Sequence, residues 1–179
     1  VPDVTGEGVM VTYVPREKVL KVRTLGSPLV MFGKEAQMKG MTELREEGMV
    51  GSGLIYFKDA ELGSKKFNFK RYVIDADTSD FNLLGKEPET SEEVVDPLSF
   101  DSRNLNAHVD FEARKGEFKS NGGTSVVKFP QNQYICSIDM FTWLMDKDEM
   151  ELSSTGQSDV TIESDLDLAR SNFYSIHPD

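Results

Sequence analysis

An all-β fold of antiparallel hairpins is what this sequence predicts, and three features lead there. Helical periodicity is nearly absent, because few windows place apolar residues at i, i+3, i+4 and i+7 without a Gly, Pro or β-branched run breaking in. In its place apolar and polar residues alternate with period two, as half-buried strands require. Short polar turns recur between those runs, and such turns join antiparallel neighbours, whereas parallel strands need long crossovers. A long one-sheet or two-sheet arrangement follows, with β-roll, β-solenoid-like and sandwich packings all compatible.

The elements are read in order. Val9, Val11 and Tyr13 alternate within Thr5 to Tyr13, Pro15-Arg16-Glu17 interrupts, and Val19 to Arg23 resumes as a second strand. Ala36 to Leu44 and Met49 to Phe57 flank Arg45-Glu46-Glu47-Gly48, where Gly48 suits a positive-φ turn position. A short helix over Thr42 to Glu47 is the alternative, and the turn is preferred. Gly53 to Phe57 then faces Glu61 to Ser64 across Lys58-Asp59-Ala60, and Ala107 to Phe111 faces Gly116 to Lys119. Tyr134 to Leu144 returns through Met145 to Asp148 into Glu149 to Leu152. Gly122-Gly123 marks a further tight loop.

Some phrases recur. Phe57 through Ser64 is similar to Phe111 through Ser120, and Leu166 through Phe173 echoes Ala60 through Phe67. The uneven spacing leaves solenoid, roll and sandwich open. Gly85 to Pro97 stands apart, with two prolines, five acids and little to bury. It is expected to be an exposed acidic loop within a single β-rich domain spanning 1–179, itself a fragment of a larger protein.

At 179 residues the chain is long enough to bury a core without staples. Thirty-one Asp and Glu against 20 Lys and Arg leave a formal charge of −11, which repels phosphate backbones, so no nucleic acid is expected as partner. No run approaches the roughly 18 apolar residues of a membrane-spanning helix, so no membrane span is expected in this segment. Cys136 is the single cysteine and cannot form an intramolecular disulfide. Alternation puts Tyr134, Cys136, Ile138 and Met140 on one face, which makes Cys136 a core thiol in preference to a nucleophile.

No catalytic, cofactor-binding or metal site emerges. Asp75-Ala76-Asp77-Thr78-Ser79-Asp80 clusters three carboxylates, and oxygen-rich loops hold Ca²⁺. An EF-hand loop counted from Asp75 needs Gly at its sixth position and Glu at its twelfth, where this chain has Asp80 and Lys86. A polar turn or solvent face between strands at Phe67-Phe69 and Phe81-Leu83 is the preferred reading. The acids around Asp146 and those at Asp165 and Asp167 are likewise read as wet faces. Trp143 beside Phe141 and Leu144 is a sheet-face or core aromatic before it is a sugar platform. His108, between Ala107 and Val109, is expected to point outward, and two distant histidines without a Cys-x-x-Cys pair do not make a zinc site. No Gly-x-Ser-x-Gly, phosphate-binding loop or dinucleotide fingerprint occurs.

The phrases Val11-Thr12-Tyr13-Val14-Pro15, Ile55 to Leu62, and Phe141 to Asp146 with Met150-Glu151-Leu152 share one plan of apolar-aromatic strand, polar turn and return strand. In that plan the chain resembles OstA-like periplasmic β-roll proteins, which carry lipid across the Gram-negative envelope. Gly48 to Gly53 leading into Phe57, and the closing Ser171 to Pro178, resemble segments of long Bacteroidota envelope proteins. The resemblance implies an extracytoplasmic, non-catalytic structural or lipid-bridging β segment, with lipid and the rest of the parent chain as partners. An extracellular glycan-binding β-sandwich, Ca²⁺-dependent or not, is the alternative. The interior around Phe57, Phe69, Phe111, Tyr134 and Ile138 discriminates: an open apolar groove favours lipid, and a closed core favours a spacer or binding module.

Overall fold

The computed structural model describes residues 1–85, 98–123, 125–147, 149–153 and 161–164. The predicted acidic loop, apart from Gly85, and the predicted echo at Leu166 to Phe173 lie outside the described residues. The described chain is all-β, and its strands are β1 (Val4–Thr5), β2 (Val9–Val14), β3 (Val19–Thr24), β4 (Leu29–Met31), β5 (Ala36–Arg45), β6 (Gly48–Phe57), β7 (Ala60–Phe69) and β8 (Val73–Leu84). They continue as β9 (Leu98–Asp110), β10 (Lys115–Ser120), β11 (Ser125–Phe129), β12 (Tyr134–Ile138), β13 (Met140–Leu144), β14 (Glu149–Ser153) and β15 (Thr161–Ser164). Single 3-10 turns at Phe32–Lys34 and Pro130–Asn132 precede β5 and β12.

All fifteen strands belong to one antiparallel sheet whose middle is the meander β5-β6-β7-β8-β9. The sheet forks at both ends. One half of β5 pairs with β4, and so with β1, while its other half pairs with β3, and so with β2. In the same way one half of β9 pairs with β11, leading to β12 and β15, and its other half with β10, leading to β13 and β14. Among the described residues no pairing joins the two forked ends, so the sheet is not closed into a barrel.

The long strands switch their inward face partway along. β7 buries Ala60 and Leu62, then Phe67 and Phe69; β8 buries Ile74 and Ala76, then Ser79 and Phe81. β9 buries Phe100 and Ser102, then Leu105, Ala107 and Val109. An even-to-odd change needs extra residues in the strand, and the register shifts between Gly51 and Gly53 and between Ala76 and Ser79 are those bulges. Side chains occupy backbone groups there: Ser64 Oγ donates to Thr78 O at 2.6 Å, Ser79 Oγ to Leu105 O at 3.0 Å, and Ser125 Oγ to Arg103 O at 3.1 Å. The bulges form a line across the sheet, along which it folds over into two facing layers. Phe57, Phe81 and Phe100 come from one layer and Phe118, Phe141 and Trp143 from the other. Their rings meet at 4.2 Å (Phe81–Phe118), 4.8 Å (Phe100–Phe141) and 5.5 Å (Phe57–Trp143) between centroids. The core between the layers is a single continuous cluster.

The forked ends are two copies of one arrangement. Gly8 and Asn104 share a left-handed φ of 61° and 57°, Lys18 and Arg114 one of 52° and 57°, and the members of each pair are 96 residues apart. Leu25 N donates to Gly8 O at 3.3 Å, and Asn121 N to Asn104 O at 3.2 Å, again at that spacing. The register of β2 on β3, Val9↔Thr24 to Val14↔Val19, is repeated by Leu105↔Ser120 to Asp110↔Lys115. After each 3-10 turn the hydrogen bonds Glu35 N to Phe32 O and Gln133 N to Pro130 O correspond as well, now 98 residues apart, and the pairings Val22↔Thr42 and Phe118↔Phe141 place Phe141 as the counterpart of Thr42 at a spacing of 99. Thus β1 and β2 together correspond to β9, β3 to β10, β4 to β11, β5 to β12 and β13, and the first half of β6 to β14.

Several expectations change. The hairpins are placed as expected, but those from β5 to β9 are parts of ten- to thirteen-residue strands, and the expected strand from Tyr134 to Leu144 divides into β12 and β13, of which only β13 pairs with the return strand β14. The repeat expected between Phe57–Ser64 and Phe111–Ser120 is not the structural one: Phe111 occupies the place of Pro15, the first residue of the turn after the strand. Asp75 to Asp80 lies inside β8 and is not a turn. Of the four residues expected on one face, Cys136 and Ile138 are buried, Tyr134 at the start of β12 is 44 % exposed, and the break at Asp139 moves the inward face from Met140 onto Phe141 and Trp143.

Candidate functional site: an uncovered end of the sheet

The residues singled out by their chemistry are engaged structurally. Cys136 is 2 % exposed in the core, and burial pushes its thiol pKa up, away from thiolate chemistry. Trp143 is buried against Phe57 and Phe81, so it offers no platform to a sugar. His108 lies on the outer face as expected, with Nδ1 2.6 Å from Asp75 Oδ1, while Lys70 Nζ sits 2.8 Å from Asp75 Oδ2. Burial would raise the Asp75 pKa, but Lys70 and His108 outweigh it and hold the carboxyl below its ordinary range. Asp80 accepts a hydrogen bond from the Asn104 backbone N–H. Three acids on one strand are therefore not a common ligand set, and among the described residues no group of three or more His, Cys, Asp or Glu could hold a metal ion.

The layers are also clasped at their tips. Arg114, in the turn after β9, binds Glu35 beside the first 3-10 turn and Asp146 in the turn after β13, the latter at 3.0 Å. Both partners raise the Arg114 pKa, and Arg114 in turn lowers that of Asp146. Lys58, at the β6–β7 tip, donates to the Met145 carbonyl oxygen. Phe32 stacks on Phe111 with centroids 4.4 Å apart just inside that clasp. These contacts hold shut the side of the fold opposite the line of bulges.

One site is open. At the β1–β2 end a groove of about 380 Å³ runs between the layers, lined by Val4, Gly6, Val9, Leu20, Val22 and Leu44 among others. β1 pairs only with β4 and β2 only with β3, so the outer edge of both strands has no strand beside it among the described residues. Val11 and Tyr13 on this edge are 56 % and 59 % exposed. In the second copy their counterparts Ala107 and Val109 are 2 % and 0 % exposed, because β8 lies alongside β9. The groove itself has a filled counterpart. Val4, Val22, Thr42 and Leu44 correspond to Phe100, Phe118, Phe141 and Trp143, and Phe81 of β8 touches all four of those rings, with centroids no more than 6.0 Å away. Sequence reading did not find this groove, because its residues come from six strands. The signal available was the exposed-edge pattern Val9, Val11, Tyr13, which reads identically for a covered strand.

No family model, curated protein or solved structure matches this chain.

Proposed function

We propose that this chain is a non-catalytic structural module, a length of folded-over β-sheet that extends by repetition along its own axis inside a larger protein. The repeated arrangement at a spacing of 96 residues carries the reading, since each copy adds further strands to the same sheet and further residues to the same core. The packed interior supports a spacer over a lipid conduit: Phe57, Phe69, Phe111 and Ile138 are all buried in side-chain contacts that leave an acyl chain no path along the sheet. An extracytoplasmic location, implied by the resemblance of the strand phrases alone, belongs to the same proposal, and fractionation of cells making the chain tests it.

Ligand-dependent stability decides between spacer and binding module. A ligand at a hundred times its Kd stabilises the state that binds it by about 2.7 kcal/mol, which moves the melting temperature by several degrees. Melting curves should be unchanged by a long-chain fatty acid, by oligosaccharide pools, and by Ca²⁺ against chelator. A saturable upward shift with any of them overturns the spacer reading: the fatty acid would favour a lipid bridge, and the sugar a glycan-binding module.

A further inference from the structure

We infer that the β1–β2 edge and its groove form an acceptor site for one added antiparallel β-strand of the β8 kind, whose single aromatic side chain fills the groove. The inference rests on the repeat reading above, and the second copy supplies its geometry. There β8 pairs with β9 through Ile74↔Val109, Ala76↔Ala107, Ser79↔Leu105, Phe81↔Ser102 and Leu83↔Phe100. Moved back by the 96-residue spacing, those partners become Tyr13, Val11, Val9, Gly6 and Val4. An incoming strand in this register sets its Phe opposite Gly6, a residue that lines the groove. It also sets two apolar residues, an Ile and an Ala in β8, beside Tyr13 and Val11, both exposed on the edge.

Three observations agree on that occupant. Among the described residues no strand pairs with the outer edge of β1 and β2, and an extended segment can satisfy the backbone donors and acceptors of such an edge where a globular surface cannot. The groove is apolar and of side-chain width, and its counterpart holds one Phe against four rings. The site is also smaller in its own residues than the filled copy: Val22, Thr42 and Leu44 replace Phe118, Phe141 and Trp143, so the first copy has more of its interior left to be supplied from outside. β8 itself cannot reach the site, since it is paired on both sides by β7 and β9. The strand is assigned to a neighbouring repeat, since the repeat is what supplies a β8 beside the second copy.

The test uses the whole chain and a fluorescein-labelled synthetic peptide with the sequence of residues 73–84, followed by fluorescence anisotropy. Saturable one-to-one binding is expected, weakened at least tenfold by Phe81→Ala in the peptide and abolished by Val11→Asp in the chain. Val11 is exposed, so Val11→Asp should leave the chain's own melting curve unchanged. Absence of binding up to millimolar peptide overturns the inference, and so does binding that ignores Val11→Asp, which would mean exchange with the chain's own β8. Self-association of the chain that Val11→Asp abolishes would assign the edge to a second copy instead, and a fatty acid that competes with the peptide would assign the groove to acyl chains. A ligand-dependent melting shift that Val11→Asp does not alter would sink the spacer reading while leaving the strand site standing.

Discussion

Phe81→Ala should cost more than any other single truncation in the second copy, because one side chain there joins four rings from both layers. Phe81 is wholly buried, and its ring lies 4.2 Å from Phe118, 5.7 Å from Trp143, 5.8 Å from Phe141 and 6.0 Å from Phe100. Truncating a buried Phe costs about 3–5 kcal/mol through lost transfer and the cavity left behind. Aromatic pairs add about 0.5–1.5 kcal/mol each beyond area, and the surrounding rings are held by other strands and cannot collapse far. A loss of about 4–5 kcal/mol is therefore expected, a large part of the roughly 5–15 kcal/mol of a typical domain. Leu44→Ala is the internal comparison: Leu44 lines the corresponding groove but is 40 % exposed, so about 1 kcal/mol or less is expected. Urea unfolding at equilibrium reads both, as a shift in midpoint at constant slope. A Phe81→Ala cost below about 2 kcal/mol, or one equal to that of Leu44→Ala, would refute the idea that β8 plugs the second copy while the first stays open.

Three further substitutions probe the bend and the outer face. Gly53 has φ +136°, and a Cβ there would sit 2.1 Å from the Lys39 carbonyl oxygen, so Gly53→Ala should cost about 3 kcal/mol or more in urea unfolding. Gly63→Ala, which meets only the end of the Leu54 side chain at 3.1 Å, should cost under about 1 kcal/mol, and equal costs would deny that the bend depends on close backbone approach. Asp75→Asn should lose about 0.5–1 kcal/mol at neutral pH, where the carboxylate is paired with Lys70 and His108. Because folding lowers the Asp75 pKa, that contribution is present above the ordinary aspartate range and disappears as pH falls through the lowered value, so the two proteins should converge once the carboxyl is protonated in the folded state. A gap that widens on acidification would contradict the ion-pair account.

The strands were legible because each depends on local alternation and on its own turn. Pro15 to Glu17, Glu46-Glu47 and Lys58-Asp59 all fall in turns where the sequence places them. The fold-over was legible in principle. Ala60 and Leu62 are even-numbered and Phe67 and Phe69 odd, and Phe100 is followed by Leu105, Ala107 and Val109, so the phase of alternation reverses within one strand. Reading each hairpin separately hides that reversal, and with it the line of bulges that makes two layers from one sheet. Cys136 and Trp143 were assignable to the core from their alternating neighbours, whereas the His108–Asp75 contact depends on the pairing of β8 with β9 across a long connection. The groove belongs to the same class, since no stretch of sequence contains more than a few of its residues.

The repeat was the least legible feature, for a physical reason. Between Val4 and Gly26 and their counterparts from Phe100 to Gly122, only Gly26 and Gly122 are identical. What the copies share is a demand at each position: an inward apolar group, a left-handed turn residue, a small residue near the bend. Gly8 and Asn104 meet the same φ by different means, as do Lys18 and Arg114. A folded-over sheet that grows along its axis tolerates such divergence, because each pair of layers needs only a filled interior, whether by Val and Leu or by Phe and Trp. The first copy fills less of its own interior than the second, and the second is completed by a strand from its neighbour. A module built this way leaves half of its packing to be decided by whatever strand comes next, so the edge that looks like a defect in the isolated chain is where one length of sheet specifies another.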